Sequence, residues 1–242
     1  MTVQGTTGPS RRTLARTTGL LYLVIIVCGI SSEVLVRSLL IVAGDAAATA
    51  ANIQAAPGLF RLGFAFDALM LLCDVAVAVL FYVLLRPAGR TLALMAAAFR
   101  LTQAAVLGLN LLHYHAAVLL LEGAAYTAAL PPLQGNALAL FLLDLHSHGY
   151  DLGLIFFGLS CLALGRLVVR SGDFPVAFGH GLVAAGAVYL VGSFSRFLFP
   201  DLAPALAPLY IVPLVVETAF ALWLAIRGVR SCPAGAPSAD RG

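Results

Sequence analysis

The chain has 242 residues, of which 61% are hydrophobic and only 10% are charged, and its mean hydropathy is +0.99. A soluble domain carries about 25% charged residues, so this chain has too little polar surface for a water-soluble body, and a lipid bilayer is the solvent that suits it. The net charge of +3 comes from arginines that stand singly or in pairs, without the basic and aromatic clusters of a nucleic-acid interface. We therefore expect an all-α, polytopic membrane protein that does not bind nucleic acid.

Six apolar stretches are long enough to cross a bilayer as helices. In chain order they cover residues 17–36, 60–85, 91–121, 149–169, 175–199 and 208–229. We predict a transmembrane helical bundle over residues 17–230, preceded by a polar tail at 1–16. The Pro/Gly/Ala-rich residues 231–242 are predicted to form a disordered tail.

Two connections between spans have helical signals of their own. Residues 45–54 are predicted to form a short helix, with Asp45 as its N-cap and Pro57-Gly58 as the signal that ends it. Residues 133–145 are apolar, but a stretch of about 13 residues is too short to span. We expect one or two short interfacial or re-entrant helices in these connections.

The distribution of arginine predicts an orientation. Ten arginines fall at the two termini and in the turns after the second and fourth spans, against three at the opposite ends of spans, namely Arg37, Arg61 and Arg196. Cytoplasmic segments carry the excess of positive charge. We therefore predict cytoplasmic N- and C-termini in a bacterial inner (plasma) membrane, with the connections 37–59 and 122–148 on the outer side.

Ionisable and polar residues recur inside the predicted spans, where each charge costs at least about 2.5 kcal/mol on insertion scales. Asp67 and Asp74 are two helical turns apart on one face of the second span. In the third span, four polar residues form a stripe within an arc of about 80°, with His113 beside it: Arg100, Gln103, Asn110 and Tyr114. Later positions at similar depth are Tyr150, Asp151, Arg196 and Glu217.

Two interpretations of these residues remain open. In the structural one, Arg100 pairs with Asp74, Arg196 pairs with Asp151 or Glu217, and the polar groups hold helices together. In the functional one, they line an outward-facing pocket for a small ligand or ion. The predicted floor is Asp74, Arg100, Gln103 and Glu217, and the predicted mouth is Asp67, Asn110, His113 and Asp151. Tyr150 and Arg196 complete the candidate pocket.

A weak metal pattern lies in the segment before the fourth span. Asp144, His146 and His148 are donors that a metal ion accepts. Residues two apart on a helix point about 200° apart, so this spacing favours polar residues in a wet loop over a metal site. No cofactor or nucleophile motif is present in the sequence, and we assign neither a cofactor nor a catalytic residue.

Several motifs resemble a bacterial family of integral membrane proteins, domain of unknown function 4386. They are Gly19-Leu-Leu-Tyr22, Asp45…Thr49…Asn52-Ile53, Phe60-Arg61, Asp67, Phe99-Arg100-Leu101…Gln103, Gly149-Tyr-Asp-Leu-Gly-Leu-Ile-Phe-Phe-Gly158, Gly165…Arg170-Ser171-Gly172…Pro175 and Glu217-Thr-Ala-Phe-Ala-Leu-Trp-Leu-Ala-Ile-Arg-Gly228. The likeness covers residues 14–230 and implies a multi-span membrane protein without an established activity. It adds weight to five residues through which the motifs run: Asp67, Arg100, Tyr150, Asp151 and Glu217.

We expect, from all of this, a protein without enzymatic activity that binds or moves a small ligand or ion through the polar pocket. Two alternatives stand beside it. One is an intramembrane metal-dependent enzyme that acts on lipid, and the other is an accessory or sensor subunit of a membrane complex. The lipid bilayer is the one partner that the sequence itself identifies.

Overall fold

A computed structural model gives the fold and describes residues 10–123 and 130–229. This part of the chain holds helices and no strands, which confirms the all-α prediction. Its longer helices are α1 (Arg11–Leu40), α2 (Ala46–Ala55), α3 (Pro57–Leu85), α4 (Arg90–Leu121), α5 (Pro132–Ser171), α6 (Val176–Leu198) and α7 (Ile211–Ile226). In the described part of the chain, six helical segments are long and apolar enough to cross a membrane, as predicted: α1, α3, α4, α5, α6 and the segment Pro200–Ile226, in which short turns precede α7. The predicted tail 231–242 lies outside the described residues.

The six spanning helices form a ring. Each packs against the next spanning helix in the chain, and α7 returns to pack against α1. Short connections such as Arg86–Ala88 force neighbours to run antiparallel. The ring therefore has two ends. One carries the start of α1 and the end of α7, and we call it the terminal end. The other carries α2, and we call it the α2 end.

Close backbone approach at glycines fixes the ring where α5 meets α6. A Cβ on Gly165 would lie 2.5 Å from the Gly179 carbonyl oxygen, and one on Gly186 would lie 2.7 Å from the Gly158 carbonyl oxygen. Small residues of this kind let transmembrane helices pack by van der Waals contact, since lipid supplies no hydrophobic drive between them. Gly19 plays the same role between α1 and α7, where its Cβ would lie 2.3 Å from the Ala225 backbone nitrogen.

The segment 133–145 differs from its prediction as a separate interfacial or re-entrant helix. It is the first part of α5, a continuous helix of 40 residues and about 60 Å in length. That is twice the apolar thickness of a bilayer, so α5 projects at the α2 end. Ala139 and Leu143 are buried there with Ile53 of α2 and Val118 of α4. Tertiary packing covers one face of this apolar stretch, while Leu133, Leu138 and Phe141 remain exposed.

The short helix α2 is present as predicted. The Asp45 side chain accepts a hydrogen bond from the Ala48 backbone N–H at 2.9 Å, which makes it the N-cap. Pro57 takes the first position of α3, where its missing N–H costs nothing. The chain before α7 is broken into short 3-10 and α-helical turns over residues 200–210, which contain Pro200, Pro204 and Pro208.

Candidate functional site

A buried ion pair lies at the centre of the ring. The Arg100 Nε donates to the Asp74 Oδ1 at 2.7 Å, and the two side chains are 2% and 3% exposed. The turn at Arg86–Ala88 makes α3 and α4 antiparallel, and the two residues lie at matching distances on either side of it. Burying a pair of charges is favourable only when each compensates the other closely. The predicted pairing of Arg100 with Asp74 is present.

Two aromatic rings hold the Arg100 guanidinium. Its central carbon lies 4.8 Å from the Tyr22 ring centroid and 4.9 Å from that of Phe157. Contacts of a cation with ring faces contribute up to about 2 kcal/mol each where water is excluded. The Nη1 of Arg100 and the Oε1 of Gln103 are buried and have no hydrogen-bond partner among the described residues. The guanidinium is thus fixed in place, and its Nη1 donates to none of the described residues.

Glu217 joins three helices at the same depth. Its Oε2 accepts from the Tyr22 hydroxyl at 2.6 Å, and its Oε1 accepts from the Tyr189 hydroxyl at 2.7 Å. Tyr22 therefore serves two groups, since its ring faces Arg100 while its hydroxyl binds Glu217. This arrangement links α1, α6 and α7 through one carboxyl group.

These groups surround a cavity of about 200 Å³. Every spanning helix contributes to the lining, together with Tyr210 from the turn before α7. The polar residues of the lining are Asp74, Arg100, Gln103, Tyr150, Tyr189, Tyr210 and Glu217. The apolar part comes mainly from α1 and the start of α7. The structure thus brings all four predicted floor residues, and Tyr150, to one cavity.

The predicted mouth residues lie in other polar groups. Arg37 bridges Glu33 and Asp67 of α3, each at 2.7 Å, and its guanidinium carbon lies 5.9 Å from the Tyr150 ring centroid. It stands at the end of a π-helical turn, Ser32–Arg37, that interrupts α1. Such turns recur at functional sites. Asp67 has one buried carboxylate oxygen, Oδ1, without a partner among the described residues.

Asn110 and His146 connect α4 to α5. The Asn110 side-chain nitrogen donates to the His146 carbonyl oxygen at 2.7 Å, and its Oδ1 lies 3.1 Å from the Nδ1 of His113. Gly149 leaves room for this amide, because a Cβ there would lie 2.0 Å from the Asn110 Oδ1. His113 therefore contacts Asn110 from one turn away on the same helix, and it does not line the cavity.

Asp151 and Arg196 connect α5 to α6. The Arg196 Nη1 lies 2.7 Å from the Asp151 Oδ2 and donates to the Ser147 hydroxyl at 3.1 Å. The Arg196 side chain is 35% exposed, so this pair is wetter than the Arg100 pair. Of the two partners considered for Arg196, the structure selects Asp151. Neither residue lines the cavity.

Polar side chains thus link each pair of neighbouring spanning helices in the ring. The links, taken around the ring from α1, are Arg37–Asp67, Asp74–Arg100, Asn110–His146, Asp151–Arg196 and the Tyr189–Glu217–Tyr22 group. This is the structural role weighed from the sequence, and it explains why so many ionisable groups persist at membrane depth. These links still leave the buried Arg100 Nη1 and Gln103 Oε1 without a partner among the described residues.

The predicted metal residues do not come together. His146 is buried, whereas the Nδ1 of His148 lies 2.8 Å from the Asp144 backbone oxygen one turn earlier on the same helix, at an exposed position. Among the described residues, no three His, Cys, Asp or Glu side chains are grouped so that they could hold a metal ion. The opposed directions of His146 and His148 follow from their spacing on α5.

Sequence reasoning missed the partners that complete the site. Tyr22 and Phe157 stand in the motifs of the family resemblance without an assigned role, and Arg37 stands at the end of a predicted span. The signal for Tyr22 was present, since a tyrosine in the middle of a span needs a partner for its hydroxyl. No comparable signal marks Phe157, which has no polar atom.

The family profile described as Domain of unknown function (DUF4386) matches residues 17–228. An uncharacterized protein of Archaeoglobus fulgidus is 28% identical over 160 residues, which is 66% of this chain and 80% of that protein. No solved structure matches the chain. The match to the family covers almost the whole ring of helices and agrees with the resemblance seen in the motifs. The chain belongs to the DUF4386 family of proteins, whose domain has no known function.

Proposed function

We propose that this multi-pass membrane protein binds, or carries across the membrane, a small ligand held in the central cavity. One observation supports this more than any other. Arg100 and Gln103 line the same cavity, and one buried polar atom of each, the Arg100 Nη1 and the Gln103 Oε1, has no partner among the described residues. A buried polar group without a partner costs about 1–3 kcal/mol. A ligand with one acceptor and one donor would satisfy both groups at once.

The other polar groups of the cavity support a binding role because they are already held in place. Glu217 is fixed by two tyrosines, and Arg100 is fixed by Asp74 and two rings. A site whose polar groups are fixed before binding loses less entropy when a ligand arrives. The cavity is small and mostly apolar, as ligand sites commonly are.

Filling the cavity from Gly29 tests the proposal. Gly29 lines the cavity, and a Cβ there would meet only the Met70 sulfur, at an ordinary 3.4 Å. We expect Gly29→Leu to fold and to exclude the ligand. Gly108→Leu is the matched control, because Gly108 is an exposed mid-span glycine outside the cavity.

The measurement is mass spectrometry of small molecules retained by protein purified in native-lipid nanodiscs. Wild type and Gly108→Leu should retain a molecule, near one per chain, that Gly29→Leu lacks. An identical set of retained molecules in all three proteins would contradict the proposal.

We further infer a plasma-membrane location with both termini in the cytoplasm. Support comes from the excess of arginine at the terminal end, where Arg11 of α1 binds Asp173 in the turn between α5 and α6. Reporter fusions after Gly89 and Gly172 should give a cytoplasmic signal, and a fusion after Pro132 an external one. A cytoplasmic signal at Pro132 would reverse the orientation.

A further inference from the structure

The cavity reaches the surface of the ring on one side. Of its lining residues, two are clearly exposed large apolar ones: Ile30 of α1 is 44% exposed, and Leu214 of α7 is 42% exposed. The polar lining residues Asp74, Arg100, Gln103 and Glu217 are all buried. The cavity therefore has a polar inner wall and an apolar opening between α1 and α7.

The geometry of α1 and α7 explains the opening. The two helices run antiparallel and touch at Gly19 and Ala225, near the terminal end. Ile30 lies eleven residues after Gly19, and Leu214 lies eleven residues before Ala225. Both are thus about 16 Å from the contact, at the same depth on facing helices. The helices are thus in close backbone contact near the terminal end, and the cavity reaches both of them about three turns further along.

Polar contacts hold the far half of α1 against α3. The Ser32 hydroxyl donates to the Gly63 carbonyl oxygen at 3.3 Å, and Arg37 binds Asp67 at 2.7 Å. On the other side, the turns before α7 are broken by prolines and place Tyr210 at the rim of the cavity. The gap is thus built by the residues that flank it on both helices.

The opening faces lipid. Leu214 is twelve residues from Ile226, about 18 Å along α7, and the apolar core of a bilayer is about 30 Å thick. Val27 and Val215, the neighbours of the opening on each helix, are 61% and 58% exposed. Apolar side chains this exposed on a spanning helix contact acyl chains. A molecule that enters here therefore comes from the bilayer.

The inner wall selects the head of such a molecule. Asp74 already pairs with Arg100, and Glu217 already accepts from two tyrosine hydroxyls. An ammonium head has no acceptor for the Arg100 donor, and a carboxylate head has no donor for the Gln103 oxygen, so neither charged head satisfies both groups. The donor left on Arg100 and the acceptor left on Gln103 are matched by a hydroxyl group, which both accepts and donates. A cavity of about 200 Å³ has the volume of roughly seven waters, enough for a head and a few carbons. A long chain must extend out through the opening.

We propose that the ligand is a lipid-soluble amphiphile with an uncharged, hydroxyl-bearing head, which enters sideways between α1 and α7 and leaves its chain in the opening beside Ile30 and Leu214. This rests on the proposed function, and it names the ligand class and the route. It replaces the predicted outward mouth with a lateral one.

The test uses a long-chain primary alcohol with a diazirine in its chain, and the protein in lipid nanodiscs. Irradiation should label peptides of α1 and α7 around the opening, saturably. The unlabelled alcohol should compete, whereas the fatty acid and the primary amine of equal chain length should compete at least about tenfold more weakly. A tighter-binding amine or acid would overturn the assigned head, and labelling spread evenly over all helices would overturn the site.

Substitutions at the opening test the route. Ile30→Trp and Leu214→Trp should reduce saturable labelling about tenfold, whereas Val27→Trp and Val215→Trp, on the same helices but outside the cavity, should leave it unchanged. Ile30→Ala should raise the labelling rate, which separates blocked entry from misfolding. Equal effects of all four tryptophans, or no effect of the first two, would overturn lateral entry.

The proposed function can survive such a failure. If Gly29→Leu still loses a retained water-soluble molecule while the alcohol labels no saturable site, then the cavity binds a ligand of another class by another route. If Gly29→Leu retains everything that the wild type retains, the proposed function itself fails.

Discussion

The Asp74–Arg100 pair gives the sharpest test of the buried charges. Asp74→Leu leaves a guanidinium that is 2% exposed without its carboxylate, and removing one partner of a buried pair costs about 3–5 kcal/mol. Arg100→Met leaves the buried Asp74 carboxylate without its partner, which lowers the free energy of unfolding by a similar amount. It also removes the cation–π contacts with Tyr22 and Phe157, which contribute about 0.5–2 kcal/mol each. Asp74→Leu/Arg100→Met replaces both charges with apolar groups, which is often close to neutral for a buried pair. We expect the double variant to be more stable than either single one.

The assay is unfolding in mixed detergent micelles with increasing SDS, followed by the helical circular dichroism signal. The coupling energy from the double-mutant cycle should be about 3 kcal/mol or more. Arg61→Met is a matched control, because Arg61 pairs with Glu122 where the two side chains are 65% and 40% exposed, and such pairs contribute about 0–1 kcal/mol. An Arg100→Met protein as stable as wild type, or additive single effects, would refute a buried charge pair.

Two further changes test the contacts around the ring. Tyr189→Phe removes one of the two hydroxyls that bind Glu217, and it should cost about 1–3 kcal/mol because a buried carboxyl oxygen loses its partner. The same unfolding assay measures this cost, and an unchanged midpoint would argue against this bond. Gly165→Ala places a Cβ 2.5 Å from the Gly179 carbonyl oxygen and should lower thermal stability in detergent, whereas Gly135→Ala, in the same helix with nothing within 4 Å, should not. Equal melting temperatures for both alanine variants would contradict close packing of α5 on α6.

The polar links and the cavity reconcile the two interpretations of the intramembrane charges. Asp67, Asn110, Asp151 and Arg196 act between neighbouring helices, as in the structural interpretation. Arg100 takes part in such a link, lines the cavity and still has a donor, Nη1, without a partner among the described residues. A group that stabilises the bundle can therefore also form the wall of a binding site.

Helix periodicity and composition determined most of the secondary structure. The six spans follow from apolar stretches near 20 residues, because a helix must satisfy its backbone hydrogen bonds internally in lipid. The Asp45 cap follows from a side-chain oxygen placed before an alanine-rich run. The one clear difference, at 133–145, arose because a length rule assumes that a helix ends at the membrane surface. In the fold α2 and α4 cover one face of this stretch, and α5 runs without a break from Pro132 to Ser171.

The sequence alone also indicated that Asp74, Arg100, Gln103 and Glu217 face the interior of the bundle, since polar residues at membrane depth must avoid lipid. All four line one cavity. Only the tertiary structure decided which groups meet. Periodicity assigns a residue to a face and a depth, but the order of helices around the ring and their crossing angles decide its neighbours. Thus Tyr22 reaches both Arg100 and Glu217 because α1 closes the ring against α7. The opening between these two helices depends on where they separate, which no local pattern records.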